Sequence, residues 1–302
     1  MAFPTETVYG LGADASSPDA LRRLYAVKGR PADHPVIVHL ASADHVDEWS
    51  AEVSPAARRL ADACWPGPLT VIVPRAARVP HEVTGGLSTV GLRVPDQPIA
   101  LALLRAFGSG IAAPSANRFG RVSPTAADDV RADLGDDVDV VLDGGPCRIG
   151  VESTIVDCST EPPIIVRQGG ITREDVQRIV GREVALHDDG RVRAPGTLPS
   201  HYAPRARVEL VTGDAIAGCA AAALAAGARV GVLAPAAPAD LPDGVVVVGV
   251  ASDAEEYARS LYAWLRAADA EGLDVLVAVP PGDEGIGAAV ADRLRRAAGV
   301  RQ

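Results

Sequence analysis

Apolar and polar positions follow two different grammars along this chain. Up to about residue 187, short β-branched runs (VIVHL, LTVIVP, TVGLRVP, VDVVLDGG, STIVDCS and PIIVRQGG) alternate with turn residues and amphipathic stretches, and they predict the strands of a mixed sheet. Ser17-Pro18 and Ser123-Pro124 each pair a capping hydroxyl with a proline suited to a first helical turn; Thr172 with Asp175 marks a third helix start. From residue 208 the runs VELV, RVGVLAP, VVVVGV and VLVAVP alternate with helical stretches beginning near Gly213, Ser252 and Gly285. Continuously apolar strands alternating with helices predict a parallel sheet covered on both faces. Between the two grammars, residues 188–207 (DDGRVRAPGTLPSHYAPRAR) hold three prolines, two glycines and almost no apolar period, which reads as a linker. The expected organisation is α/β throughout: a twisted mixed-sheet domain over 1–187, a proline-rich linker over 188–207 and a smaller doubly wound parallel domain over 208–302.

Composition narrows this picture. Apolar residues at 48% and charged residues at 23% suit a soluble globular chain, and aromatics at 4% predict an aliphatic core. The net charge of -10 argues against a basic coat for nucleic acid. Residues 208–302 hold 7 Arg against 13 Asp and Glu, so -6 of the -10 lies there and a polyanionic ligand belongs with the N-terminal part. Cys64, Cys147, Cys158 and Cys219 show no metal-binding spacing and read as reduced thiols of a cytoplasmic protein. No leader and no membrane-length apolar run are evident. The opening MAFPTETVYG reads as the end of a strand, as though a helix and a strand had preceded it.

The candidate chemistry sits where strands end. No P-loop and no G-x-S-x-G hydrolase signature is present. GLGADA and GSGIAA fit a loose dinucleotide pattern but open no evident helix, so they are expected to be glycine turns beside a ligand or between packed elements. Thr5, Thr7, Lys28, Arg30, His39, Arg93, Ser115, Asn117, Ser153, Thr154 and Arg167 all fall at strand ends or just beyond, where open α/β sheets bind ligands. Lys28 is the one lysine beside 28 arginines (29 Lys plus Arg, less one), and a point charge there suits a phosphate. The set can neutralise a triphosphate and a small zwitterion, which fits phosphoryl or nucleotidyl transfer.

FPTETVYGLGADA, KGRP followed by IVH, GLRVP, APSAN, ESTIVD and VRQGGIT occur in the order seen in the YrdC-like threonylcarbamoyl-AMP synthases. The linker with HYAP and the parallel domain after it resemble the long, two-domain form of that family. The resemblance implies a nucleotidyltransferase with a concave basic pocket in its N-terminal domain. Such an enzyme condenses L-threonine, bicarbonate and ATP, with Mg²⁺ on the phosphates, into threonylcarbamoyl-adenylate and pyrophosphate. Its product passes to a transferase complex that modifies the adenosine beside the anticodon of tRNAs reading codons that begin with A. Carried over by motif, Thr7, His39, Arg93 and Ser153 hold threonine. Arg30, His34, Thr89, Ala113, Ser115, Asn117, Ser123, Arg167 and Tyr202 line the ATP site, and Lys28 with Arg30 offsets the charge of the departing pyrophosphate. No protein-held metal is implied. Position 34 is His where the family usually has Asn. The linker, with Tyr202, is expected to close over the nucleotide. The competing reading is a double-stranded RNA-binding maturation factor without catalysis; a weak RNA contact is compatible with either.

Overall fold

Helix 18–28 shows how local sequence positions a site. Ser17 Oγ accepts from the Ala20 N–H at 3.3 Å, Pro18 takes the first turn, and Gly29 ends the helix with φ +64°, a left-handed conformation that favours glycine. Lys28 thus lies in the last turn, with Arg30 immediately beyond. The second Ser-Pro signal fails as a cap: the next helix spans Ala127–Leu134, and Asp129 accepts from the N–H groups of Thr125 and Ala126 at 2.9 and 3.0 Å. Ser123 is buried and turned elsewhere. Thr172 does cap Arg173–Val180, accepting from the Asp175 N–H at 3.1 Å.

The computed structural model describes residues 1–186 and 202–299, which divide between an N-terminal unit and a C-terminal unit that also takes in residues 120–122. Most of the predicted linker, residues 188–201, lies outside the described residues. In the N-terminal unit an eight-stranded sheet runs in the order 185–186, 164–167, 154–157, 69–74, 89–93, 37–39, 111–112, 13–14. It is mixed, as expected: Ile37–His39 is parallel to Thr89–Arg93, whereas Leu69–Pro74 is antiparallel to it and parallel to Thr154–Asp157. The predicted strand VDVVLDGG is a correction, because only an isolated bridge between Ala2 and Val141 forms there. Val38, Val71, Val73, Val90, Leu92 and Val156 form the aliphatic centre. Gly110 of GSGIAA is packed so closely that a Cβ would lie 2.5 Å from Trp49 and 2.6 Å from Val38, so this glycine serves packing.

The C-terminal unit holds a four-stranded, wholly parallel sheet in the order 207–210, 275–278, 230–234, 246–250. Helix Ile216–Ala225 packs on strands 230–234 and 275–278, and helix Ala254–Ala270 packs on 246–250. Helix Gly287–Ala297 lies against the latter helix and strand 207–210. Among the described residues no helix is long and apolar enough to cross a membrane.

Candidate active site

Register brings the first two site residues together. In the parallel pair formed by 37–39 and 89–93, His39 is the partner of Arg93, so both side chains leave the sheet at the same strand ends. The turn 4–10 then wraps against them. Thr5 Oγ1 donates to the Val8 carbonyl at 2.7 Å and accepts the N–H groups of Thr7 and Val8 at 3.2 Å, which closes a tight hydroxyl-centred turn. Arg93 Nη2 donates to Thr7 Oγ1 at 2.9 Å and to Glu6 Oε1 at 2.6 Å, and Nε donates to the Gly67 carbonyl at 3.3 Å. Nη1 makes no hydrogen bond among the described residues. The guanidinium therefore leaves one nitrogen, not the two-pronged fork that Arg can present elsewhere, for a further acceptor.

His39 is 3% exposed, with the Phe3 ring edge-on at 6.0 Å. Burial, reinforced by the Arg93 charge, pushes its pKa down from 6.5 to about 3, so the imidazole is neutral near pH 7. As pH falls below 6.5 the unfolded chain takes up this proton first. The stabilisation is complete above pH 6.5 and is lost as pH falls toward 3, at up to about 1.4 kcal/mol per pH unit. Urea midpoints should fall more steeply with decreasing pH for the wild type than for His39→Asn, the gap between the two curves changing only below pH 6.5. Parallel curves would mean that His39 titrates normally.

A second cluster joins Ser153 to Arg167. Ser153 Oγ and Thr70 Oγ1 are 2.8 Å apart, and Arg167 Nη2 donates to Ser153 Oγ at 3.1 Å and to its carbonyl at 2.9 Å. The antiparallel register of 154–157 with 164–167 delivers this contact. The contact thus joins Ser153, expected to hold threonine, to Arg167, expected at the ATP site.

The third cluster surrounds Lys28. Its ammonium donates to the Ser115 carbonyl at 2.7 Å, the Asn117 carbonyl at 2.8 Å and Asn117 Oδ1 at 3.1 Å, and the residue is 1% exposed. Burial, then the nearby Arg30 charge, presses its pKa well below the usual lysine value, against the pull of Asp133 and Glu152. The ammonium thus brackets the 115–117 turn. That turn lies along 9–11, through an isolated bridge of Ser115 with Gly10 and a 2.8 Å bond from the Ala116 N–H to the Tyr9 carbonyl. Nearby, Arg30 Nη2 donates to the Pro35 carbonyl at 2.8 Å; its guanidinium lies 6.0 Å from the Phe119 ring, and His34 meets the same ring edge-on at 5.7 Å. Ser123 Oγ donates to Glu152 Oε1 at 2.8 Å.

The remaining expected residues have separate settings. Thr89 opens strand 89–93 opposite Pro74, and Ala113 contributes a backbone N–H to the Ile37 carbonyl at 2.9 Å. Tyr202 belongs to the C-terminal unit: its φ is +61°, its ring stacks on Tyr262 at 5.6 Å, and Arg293 lies 5.2 Å from the ring centre. Glu6, Thr70 and Glu152 were missed by motif reading. Glu6 and Glu152 each adjoin an identified site residue, and a carboxylate inside an otherwise uncharged turn was the available signal; Thr70 gave none.

Comparisons with known proteins identify the family. The family described as telomere recombination (Sua5, YciO, YrdC) matches residues 1–169, and the threonylcarbamoyl-AMP synthase C-terminal domain matches 171–299. A threonylcarbamoyl-AMP synthase of Pyrococcus abyssi is 40% identical, covering 100% of this chain and 91% of the relative. One of Bacillus subtilis is also 40% identical, covering 100% and 90%. The crystal structure of P. abyssi Sua5 complexed with L-threonine superposes with a TM-score of 0.92 at 40% identity, over 99% of this chain and 90% of that one. The chain belongs to the Sua5/YciO/YrdC family, in its long form with the synthase C-terminal domain.

Proposed function

We propose that this protein is a threonylcarbamoyl-AMP synthase that condenses L-threonine, bicarbonate and MgATP into threonylcarbamoyl-adenylate and pyrophosphate. The observation that carries the reading is Arg93, which ends a strand beside His39 with Nε and Nη2 tied down and Nη1 left over, in a chain with full-length synthase relatives. Nη1 takes the threonine carboxylate, and the hydroxyls of Thr7 and Ser153 and the neutral imidazole of His39 receive the rest of the amino acid. A neutral imidazole accepts a hydrogen bond from the threonine ammonium without repelling it. Once the ammonium has lost its proton, the amine adds to the carbon of bicarbonate, and water leaves as the carbamate forms. A carbamate oxygen then displaces pyrophosphate at the α-phosphorus, in line with the leaving group. Arg30 and Arg167 offset the charge of the departing pyrophosphate, and Lys28 acts by holding Ser115 and Asn117 in place.

The described residues contain no cluster of three or more acidic, His or Cys side chains fit for a metal. Magnesium enters with ATP, held mainly by phosphate and water. The reaction takes place in the cytoplasm, and its product is consumed by a tRNA-modifying transferase complex. The double-stranded RNA-binding reading is not favoured, given the synthase relatives and the net charge of -10. Purified protein given MgATP, bicarbonate and L-threonine should release pyrophosphate and stop when threonine or bicarbonate is withheld. Release at an unchanged rate without threonine would sink the reading.

A further inference from the structure

We propose that Glu6 is a positioning residue that aims Arg93 at the substrate carboxylate. The proposal rests on the reading that Arg93 holds threonine. An arginine side chain swings about several bonds, and an anion receptor works best when its orientation is set before the ligand arrives. In the N-terminal unit that orientation comes mostly from Glu6. The Nη2 to Oε1 contact is 2.6 Å, the shortest of the three residue contacts Arg93 makes, whereas the Nε bond to the Gly67 carbonyl is long at 3.3 Å. The third contact, with Thr7 Oγ1, goes to a hydroxyl that the substrate also needs.

Glu6 is itself immobilised. Its Oε2 accepts from the Asp96 N–H at 3.0 Å and its carbonyl accepts from the Ile149 N–H at 2.8 Å, so neither its carboxylate nor its backbone can follow a moving arginine. Asp96 lies three residues beyond Arg93 on the same strand exit. One carboxylate therefore ties the guanidinium to the backbone that emerges from its own strand. The side chains are 5% and 1% exposed, so solvent does not screen the pair. Because Glu6 already balances the charge of Arg93, this guanidinium is not an unpaired buried cation before the substrate arrives. The direction left for a second anion is that of Nη1.

The test is Glu6→Gln, which keeps the size and one acceptor oxygen but removes the charge and sets an NH₂ group against either the Asp96 N–H or Arg93. The expected result is a rise of at least about tenfold in the KM for threonine, with the KM for ATP and the kcat at saturating threonine unchanged within about twofold. A merely structural role would instead lower kcat and move both KM values together. Arg93→Lys, alone and combined with Glu6→Gln, completes a double-mutant cycle: once Arg93 has gone, the Glu6 substitution should add little. If Glu6→Gln does not fold, Glu6→Asp, which keeps the charge but withdraws it by one methylene, is read in the same way. A folded Glu6 variant with the wild-type KM for threonine overturns the proposal, as do effects that multiply independently in the cycle. If Arg93→Lys itself leaves the threonine KM unchanged, it is the assignment of Arg93 to threonine that fails.

Discussion

Arg93→Ala is expected to weaken threonine binding roughly ten- to hundredfold and to destabilise the fold by about 3–5 kcal/mol. The first effect follows from losing a charge-assisted contact to the substrate carboxylate. The second follows from Glu6, whose carboxylate is 1% exposed and would keep only the Asp96 N–H at 3.0 Å. A buried charge stripped of its partner costs more than the pair contributed. The two effects separate in the double variant Arg93→Ala/Glu6→Ala, which removes the orphaned carboxylate: its melting temperature should recover much of the loss while threonine affinity does not. Calorimetric titration with L-threonine and a thermal melt on the same samples make the comparison. Equal loss of ATP and threonine affinity in the single variant would remove Arg93 from the threonine site.

Lys28→Met is expected to lower kcat/KM for ATP by about a hundredfold or more, together with a lower melting temperature. The substitution fills most of the volume but leaves the carbonyls of Ser115 and Asn117 and Asn117 Oδ1 without their donor in a dry site. Each buried acceptor left unsatisfied costs about 1–3 kcal/mol, so the 115–117 turn should rearrange to recover its hydrogen bonds. Lys28→Arg should not rescue, because a planar fork cannot converge on three acceptors as an ammonium does. The measurement is steady-state kinetics with ATP varied at saturating threonine. If Lys28→Met keeps full kcat/KM for ATP, the bracket has no bearing on catalysis.

The strand runs and helix caps were legible wherever one face of an element is buried. VIVHL and TVGLRVP form adjacent parallel strands, and Thr172 caps its helix. Ser123-Pro124 misled because the same hydroxyl can cap a helix or meet a buried carboxylate, and only the fold brings Glu152 within 2.8 Å. VDVVLDGG misled because β-branched residues alone do not supply a neighbouring edge with which to pair. Within the site, the motifs name the residues but not their partners. His39 and Arg93 are 54 positions apart (93 less 39) and meet through strand register, and Glu6 reaches Arg93 only because the 4–10 turn folds back across the strand ends. Long-range pairing of this kind leaves no local pattern.

The bracket on Lys28 also determines what the chain shows to amine chemistry. With Lys28 as its one lysine among 28 arginines, 1% exposed and bonded to three acceptors, the folded protein has no ε-amine at its surface. Acylating reagents, isopeptide-forming enzymes and proteases that cut after lysine all depend on the same side chain. Each can reach it only when the 115–117 turn lets go, so the slow labelling of this one amine counts openings of the site without any engineered probe.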